Sequence, residues 1–182
     1  MTLIDGFIVS PNVTVKQVRV VDAGFKDSDH NPVRLTFALQ PAMEALMIRP
    51  INHNQALLQQ RARQATTADA DIAQDLLATL AAHRAECVGM AANMIGQPVA
   101  IIVAQLAAGP VAMMNPVITR EGGPFETEEG CLSLTGTRPT TRYRRITVSW
   151  HTPSGEAQTG RFTGFEAQII QHECDHLKGI LI

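Results

Sequence analysis

Phe165-Glu166-Ala167-Gln168-Ile169-Ile170-Gln171-His172-Glu173-Cys174-Asp175-His176-Leu177 reads as a buried helix, and inside it stands an H-E-x-x-H arrangement. Residues four apart on a helix share a face, so the His172 and His176 imidazoles can reach one metal ion. Glu173, beside the first histidine, can touch water at that ion and is positioned to shuttle a proton. Histidine and glutamate at this spacing also occur on solvated helix faces, but Ile169, Ile170 and Leu177 flank this pair and place it against a core.

Two imidazoles leave a catalytic ion one protein ligand short, since such sites keep three protein ligands and an open position. The long zinc-protease patterns find the third ligand downstream, where the six residues after His176 offer neither Glu nor His. The expectation is an upstream ligand. Cys131 in Glu128-Glu129-Gly130-Cys131-Leu132-Ser133 is the candidate, because glycine permits close backbone approach and a thiolate suits a soft or borderline metal.

Working outward, Val99 to Gln105, Val111 to Met114, Val117 to Arg120, Arg145 to His151 and Gln158 to Phe162 read as strands by β-branched content or alternation. Asn54 to Glu86 is rich in Ala, Leu, Gln and Arg and predicts two helices with a break near Ala65 to Asp69. The second, about Asp69 to Glu86, carries Ile72, Leu76, Leu77 and Leu80 at helical spacing. Helices before and after a run of strands predict an α+β fold with a mostly antiparallel sheet around the C-terminal metal-binding helix. Gly6 to Val9, Lys16 to Val21 and Val33 to Leu39 read as further strands, and Gln40-Pro41-Ala42 as a linker. The expected division is a β-rich appendage over 1–42 and a catalytic domain over 43–182.

The 182 residues are 45% hydrophobic and 18% charged, which argues for a folded protein with one domain of sizeable core, or one domain plus an appendage. No apolar run approaches the roughly 20 residues of a membrane helix, and the first residues lack a basic leader, so a cytoplasmic location without membrane contact is expected. A net charge of -2 gives no reason to expect direct nucleic-acid binding and favours a small-molecule or peptide partner. Three cysteines, Cys87, Cys131 and Cys174, without disulfide-rich spacing fit reduced thiols. Cys174 reads as a small buried residue, and Arg138, Arg142, Arg144 and Arg145 as a solvated strand edge from which one arginine could reach a peptide.

Gly89-Met90-Ala91-Ala92, Glu129-Gly130-Cys131-Leu132-Ser133 and Gln171-His172-Glu173-Cys174-Asp175-His176 resemble, in this order, the three motifs of the peptide deformylase family. The resemblance spans about Met43 to Ile182. It implies removal of the N-formyl group from the N-terminal methionine of nascent polypeptides, with release of formate and transient ribosome association. It implies Cys131, His172 and His176 as ligands of one divalent ion, Fe2+ first and Zn2+, Ni2+ or Co2+ as alternatives, and Glu173 as general acid and base. Leu132 would add an oxyanion contact, and Val88, Gly89 and Arg138 would lie along the peptide. The family's first motif runs G-x-G-L-A-A-x-Q, whereas the aligned residues here are Cys87-Val88-Gly89-Met90-Ala91-Ala92-Asn93-Met94. Methionine cannot donate a hydrogen bond, so Asn93 is expected to supply the missing amide, or else to turn the chain near Gly96. A weakly active or non-catalytic paralogue and an H-E-x-x-H metalloprotease are the competing readings. The first forty residues resemble the last strands of the endonuclease/exonuclease/phosphatase family, whose Asp-His pair would correspond to Asp29 and His30, without the layers that would complete such a site.

Overall fold

In the computed structural model, which describes residues 13–21, 24, 32–39 and 47–182, strand β4 (Ile101–Leu106) is buried on both faces. Its continuous apolar run therefore shows little alternation. Ile101 and Val103 pack with Ala73, Leu76 and Leu80 of helix α2 (Ala70–Ala82). Ile102 and Ala104 point the other way, into a second core with Ala167, Ile170 and Cys174 of helix α3 (Gly164–Leu177). Each fully buried side chain of this size contributes about 1.5–3 kcal/mol. Two cores on one sheet hold α2 and α3 on opposite sides of it.

The sheet is antiparallel throughout, in the order β3 (Gly89–Ala91), β4, β5 (Gly109–Gly130), β6 (Thr137–His151) and β7 (Ala157–Thr163). The α+β expectation with an antiparallel sheet and a C-terminal helix holds. The two strands expected over Val111 to Met114 and Val117 to Arg120 are one strand, with register shifts between Met114 and Val117 and between Ile118 and Arg120. Asn115 takes a left-handed φ of 52° in the first irregularity, and its side-chain amide pairs with the Ala65 backbone at 2.7 and 2.9 Å. Beyond it, β5 and β6 continue as a long hairpin that carries Gly130 and Cys131 back over α3.

The first expected helix shrinks to α1 (Gln55–Leu58), capped by Asn54. Residues after it spend their backbone groups elsewhere, with Ala62 N–H donating to Leu177 and Arg63 joined to Pro98 and Ala100. Tertiary pairing overrides local helix propensity there. Helix α3 stops at Gly179, where φ is 78° and the Gly179 and Ile180 N–H groups return to the His176 and Asp175 carbonyls. A Cβ on Gly179 would collide with the Gln59 carbonyl, so glycine is required by close approach as well.

Met1–Ala45 and Leu46–Ile182 are separate units. In the first, β1 (Val13–Val20) pairs antiparallel with β2 (Val33–Leu39), and Val18 and Phe37 are exposed. The strand expected at Gly6 to Val9, the Asp29-His30 pair and the linker up to Met43 lie outside the described residues.

Candidate metal-centred active site

α3 presents His172 and His176 on one face, and the hairpin brings Cys131 to meet them. The two Nε2 atoms are 3.1 Å apart and Cys131 Sγ is 3.3 Å from His176 Nε2. All three ligand atoms lie within 4.8 Å of one another. Zinc-type bond lengths at tetrahedral angles give separations of about 3.3–3.6 Å, so one cation fits among these atoms. Three lone-pair donors turned toward one point need a positive centre, and a thiol with two imidazoles suits a borderline divalent metal.

The two imidazoles have different surroundings. Burial disfavours a charge on His172, but hydrogen bonds to Cys131 and Glu129 outweigh it and push the ring up to about 10. His176, fully buried, is pushed down to about 4 by burial and by the neighbouring His172 charge. Glu129 contributes to the asymmetry alongside Cys131. Its Oε2 lies 2.8 Å from His172 Nδ1, while Arg142 donates to both carboxylate oxygens at 3.0 and 2.8 Å and Gln168 Nε2 donates at 2.9 Å. Burial opposes this carboxylate's charge, yet the hydrogen bonds from His172 and Arg142 prevail and hold it down at about 2. A histidine ligand fixed through its second nitrogen in this way has its tautomer and ring orientation set.

Arg142 corrects the reading of its arginine run as a solvated edge. It is 4% exposed, and its Nη1 also donates to Asp175 at 2.6 Å. One guanidinium thereby ties β5, β6 and α3 together behind the histidines. Arg144 and Arg145 remain exposed. Sequence reasoning missed Glu129, Arg142 and Gln168. The available signal was the alternation of β6, which places Arg142 on the same side as the buried Ile146 and Val148.

Glu173 is buried against Gly89, where a Cβ would lie 2.6 Å from its Oε1, and its Oε2 has no hydrogen-bond partner. Burial pushes this carboxyl up to about 7; His172 opposes the shift and Glu129 adds to it. A group that exchanges its proton near neutral pH is suited to general acid and base work. It lines a cavity of about 260 Å³ together with His172, Cys131, Leu132, Gly89, Val88, Cys87, Met94 and Gln168. The walls are partly apolar, with Ile169 and Phe165 contributing.

Asn93 corrects a second expectation. It does not line this cavity, and its Nδ2 donates to the Leu58 and His176 carbonyls at 3.1 and 2.9 Å. Both amide hydrogens are consumed in holding α1 and the end of α3. Its own carbonyl accepts from Gly96 N–H, so the turn reading is the one the structure supports. Met94, in the motif's glutamine position, does line the cavity and its sulfur accepts from Ala91 N–H at 3.4 Å. Arg138 stands opposite Glu129 on β6 but outside the cavity lining, with a buried Nη1 that has no hydrogen-bond partner. Cys174 is 5% exposed on the core side of α3, as expected of a small buried residue.

An antiparallel α+β fold that brings a thiol and two imidazoles beside a buried glutamate in a cavity defines a metal-dependent hydrolase. Residues 47–182 match the model of the polypeptide deformylase family. A peptide deformylase of Clostridium beijerinckii is 46% identical over 136 residues, which cover 75% of this chain and all of that protein. The crystal structure of peptide deformylase from Thermus thermophilus superposes with a TM-score of 0.66 at 34% identity, covering 74% of this chain and 83% of that one. A Met-Ala-Ser-bound class I type b peptide deformylase from Acinetobacter baumannii gives a TM-score of 0.66 at 26% identity over 75% of this chain and 97% of its own. The chain belongs to the peptide deformylase family, metal-dependent hydrolases that act on formylated nascent peptides. Among the described residues no helix is long and apolar enough to cross a membrane.

Proposed function

We propose that this protein hydrolyses the formamide at the N-terminal methionine of nascent peptides, releasing formate, with Cys131, His172 and His176 holding one divalent ion and Glu173 moving the proton. The observation that carries the reading is a buried, partnerless Glu173 carboxylate oxygen in the same cavity as Cys131 and His172, on which His176 converges from beneath. A cation held there supplies Lewis acidity to the reacting carbonyl and makes water a readier nucleophile near neutral pH. Glu173 takes the proton that water loses and delivers it to the leaving amine nitrogen. The Leu132 backbone N–H donates to the developing oxyanion. Val88 and Gly89 border the peptide on one side, and Arg138 reaches it from the rim. Glu129, clamped by Arg142, keeps His172 aimed through its Nδ1.

The family resemblance favours Fe2+, and Zn2+, Ni2+ or Co2+ suit the same donors. A cytoplasmic setting and transient contact with ribosomes follow from the substrate. Residues 43–182 form the catalytic domain in this reading, and 1–42 an appendage related to the end of an endonuclease/exonuclease/phosphatase domain.

Met94 supports a second reading, a slow or non-catalytic paralogue, because neither it nor Asn93 offers an amide to the cavity. Protein purified and loaded with Fe2+ under anaerobic conditions should release formate from formyl-Met-Ala-Ser, and Glu173→Ala should abolish the release. Absence of formate from the iron-loaded wild type would favour the paralogue, and cleavage of internal peptide bonds would favour a protease. Metal analysis of wild type against Cys131→Ala tests the ligand set independently of turnover.

A further inference from the structure

Strands β6 and β7 carry five arginines and neither an aspartate nor a glutamate. The register of the sheet sorts these arginines by face. Arg120 of β5 lies opposite Thr147 of β6, which lies opposite Arg161 of β7, so the three form one row across three strands. Side chains alternate along a strand, so Arg145 shares this face with Thr147, and its guanidinium lies over Gly122, where a Cβ would stand 3.7 Å from Nη2. Ser149 and Thr159, opposite each other, add hydroxyls on the other side of the row. Ile146 and Val148 point the other way, into the core with α3. Arg120, Arg145 and Arg161 are exposed, and Arg120, Thr147, Thr159 and Arg161 line a shallow depression of about 390 Å³. Among the described residues none of these three guanidiniums has an ion pair or a hydrogen-bond partner, whereas Arg49, Arg63 and Arg142 are each paired with a carboxylate. The acids of β5 stand elsewhere, with Glu121 on the opposite face across from Ile146 and Glu126 and Glu128 farther along the hairpin.

We propose that this face of β5, β6 and β7 is a docking surface for the phosphodiester backbone of RNA. Each guanidinium fork can donate to two oxygens of one phosphate, and the neighbouring hydroxyls can donate to others. The depression is lined by no aromatic ring on which a base could stack, so recognition is of backbone and not of sequence. Its lining also lacks the aromatic and aliphatic side chains that seat a protein in a lipid surface, which favours RNA over an anionic membrane. The net charge of -2 averages 15 cationic and 17 acidic side chains and hides this local excess, which is why it argued against nucleic acid. The inference rests on the peptide-processing reading for its partner, since a nascent chain is presented by a body built largely of RNA, and adds to it the place of contact. No residue of the row lines the reaction cavity, so RNA held here leaves that cavity open. Three phosphate contacts give weak, salt-sensitive binding, which suits a transient visit.

The test is fluorescence anisotropy of a labelled oligouridylate titrated with the metal-loaded full chain over a salt series. Wild-type affinity should fall with salt at a log–log slope of about -2, about 0.7 for each of three phosphates. Arg120→Gln with Arg161→Gln should weaken binding about ten- to a hundred-fold at low salt and flatten the slope by about 1.4, and Arg145→Gln alone should flatten it by about 0.7. Arg144→Gln is the control, because that guanidinium lies on the other face over the Phe125 ring, and it should bind as the wild type does. Lysines at positions 120 and 161 keep the charge and should keep the slope. Formate release from formyl-Met-Ala-Ser should be the same in all of these proteins. No RNA binding at low salt, equal slopes in the wild type and the double glutamine variant, a loss in Arg144→Gln as large as in Arg145→Gln, or tighter binding to phosphatidylserine vesicles than to RNA would overturn the inference. RNA binding in the expected pattern without formate release would sink the deformylase reading and leave the docking face standing, and formate release without RNA binding would do the reverse.

Discussion

The two walls of the cavity are built on different principles. The α3 wall presents His172 and Glu173, and beside them Glu129 and Arg142, both buried, form with Asp175 an ionic network that fixes the first histidine. The β3 wall presents Cys87, Val88, Gly89 and Met94, apart from backbone groups only apolar or weakly polar side chains, and the Met94 sulfur accepts from the Ala91 N–H. The difference teaches that the chemistry is held rigidly on one side, where charges must be paired to be buried. The opposite side carries no ion pair, and there this chain departs, at Cys87 and Met94, from the motif it resembles.

The contrast is broken most severely at Glu173. Glu173→Gln should lower the rate of formate release by about 10² to 10⁴ while leaving the bound metal in place, as read by a formate assay beside metal analysis. Next comes the network. Arg142→Met takes from the buried Glu129 its only cationic side chain besides His172 among the described residues, and should cost about 3–5 kcal/mol in urea unfolding, far more than any single change on the β3 wall. The same pair fixes a pH dependence. Glu129 is held down at about 2 from an ordinary 4.5, so its contribution to stability is complete above about pH 4.5 and lost as pH falls toward 2. Unfolding midpoints measured across that window should fall in the wild type and change less in Arg142→Met.

On the β3 wall, Met94→Gln restores an amide to the cavity and should raise kcat/KM by about ten-fold or more if a missing oxyanion donor limits the rate. No gain in steady-state turnover would mean that the Leu132 N–H and the ion suffice. The smallest effect belongs to Asn93→Ala, which removes two hydrogen bonds to buried carbonyls and should cost about 1–3 kcal/mol of stability. Its kcat/KM should match the wild type. A large loss of turnover at unchanged stability would reinstate Asn93 as a donor to the reaction.

Much of this site is legible along the chain because its chemistry is local. His172, Glu173 and His176 sit within one helical turn, whose geometry alone puts both imidazoles on one face. Cys131 is found by its Glu129-Gly130 context and by the motif it resembles. Arg142 escapes because its alternation with Ile146 and Val148 is masked by the neighbouring charges of the arginine run, which read together as a solvated edge. Asn93 misleads for a related reason: an amide next to a motif position has no direction in sequence, and the backbone turn at Gly96 points it toward α1 and α3.

The sequence by itself determined the helix with its two imidazoles and carboxylate, the antiparallel strands and the requirement for a distant third ligand, since periodicity and coordination number are local or stoichiometric facts. Only the tertiary structure decided that Glu129 and Arg142 stand beside His172 and that Asn93 holds backbone instead of facing the cavity. Those outcomes depend on which way a side chain points after strands far apart in the chain have paired, and register across a sheet is set by packing both faces at once.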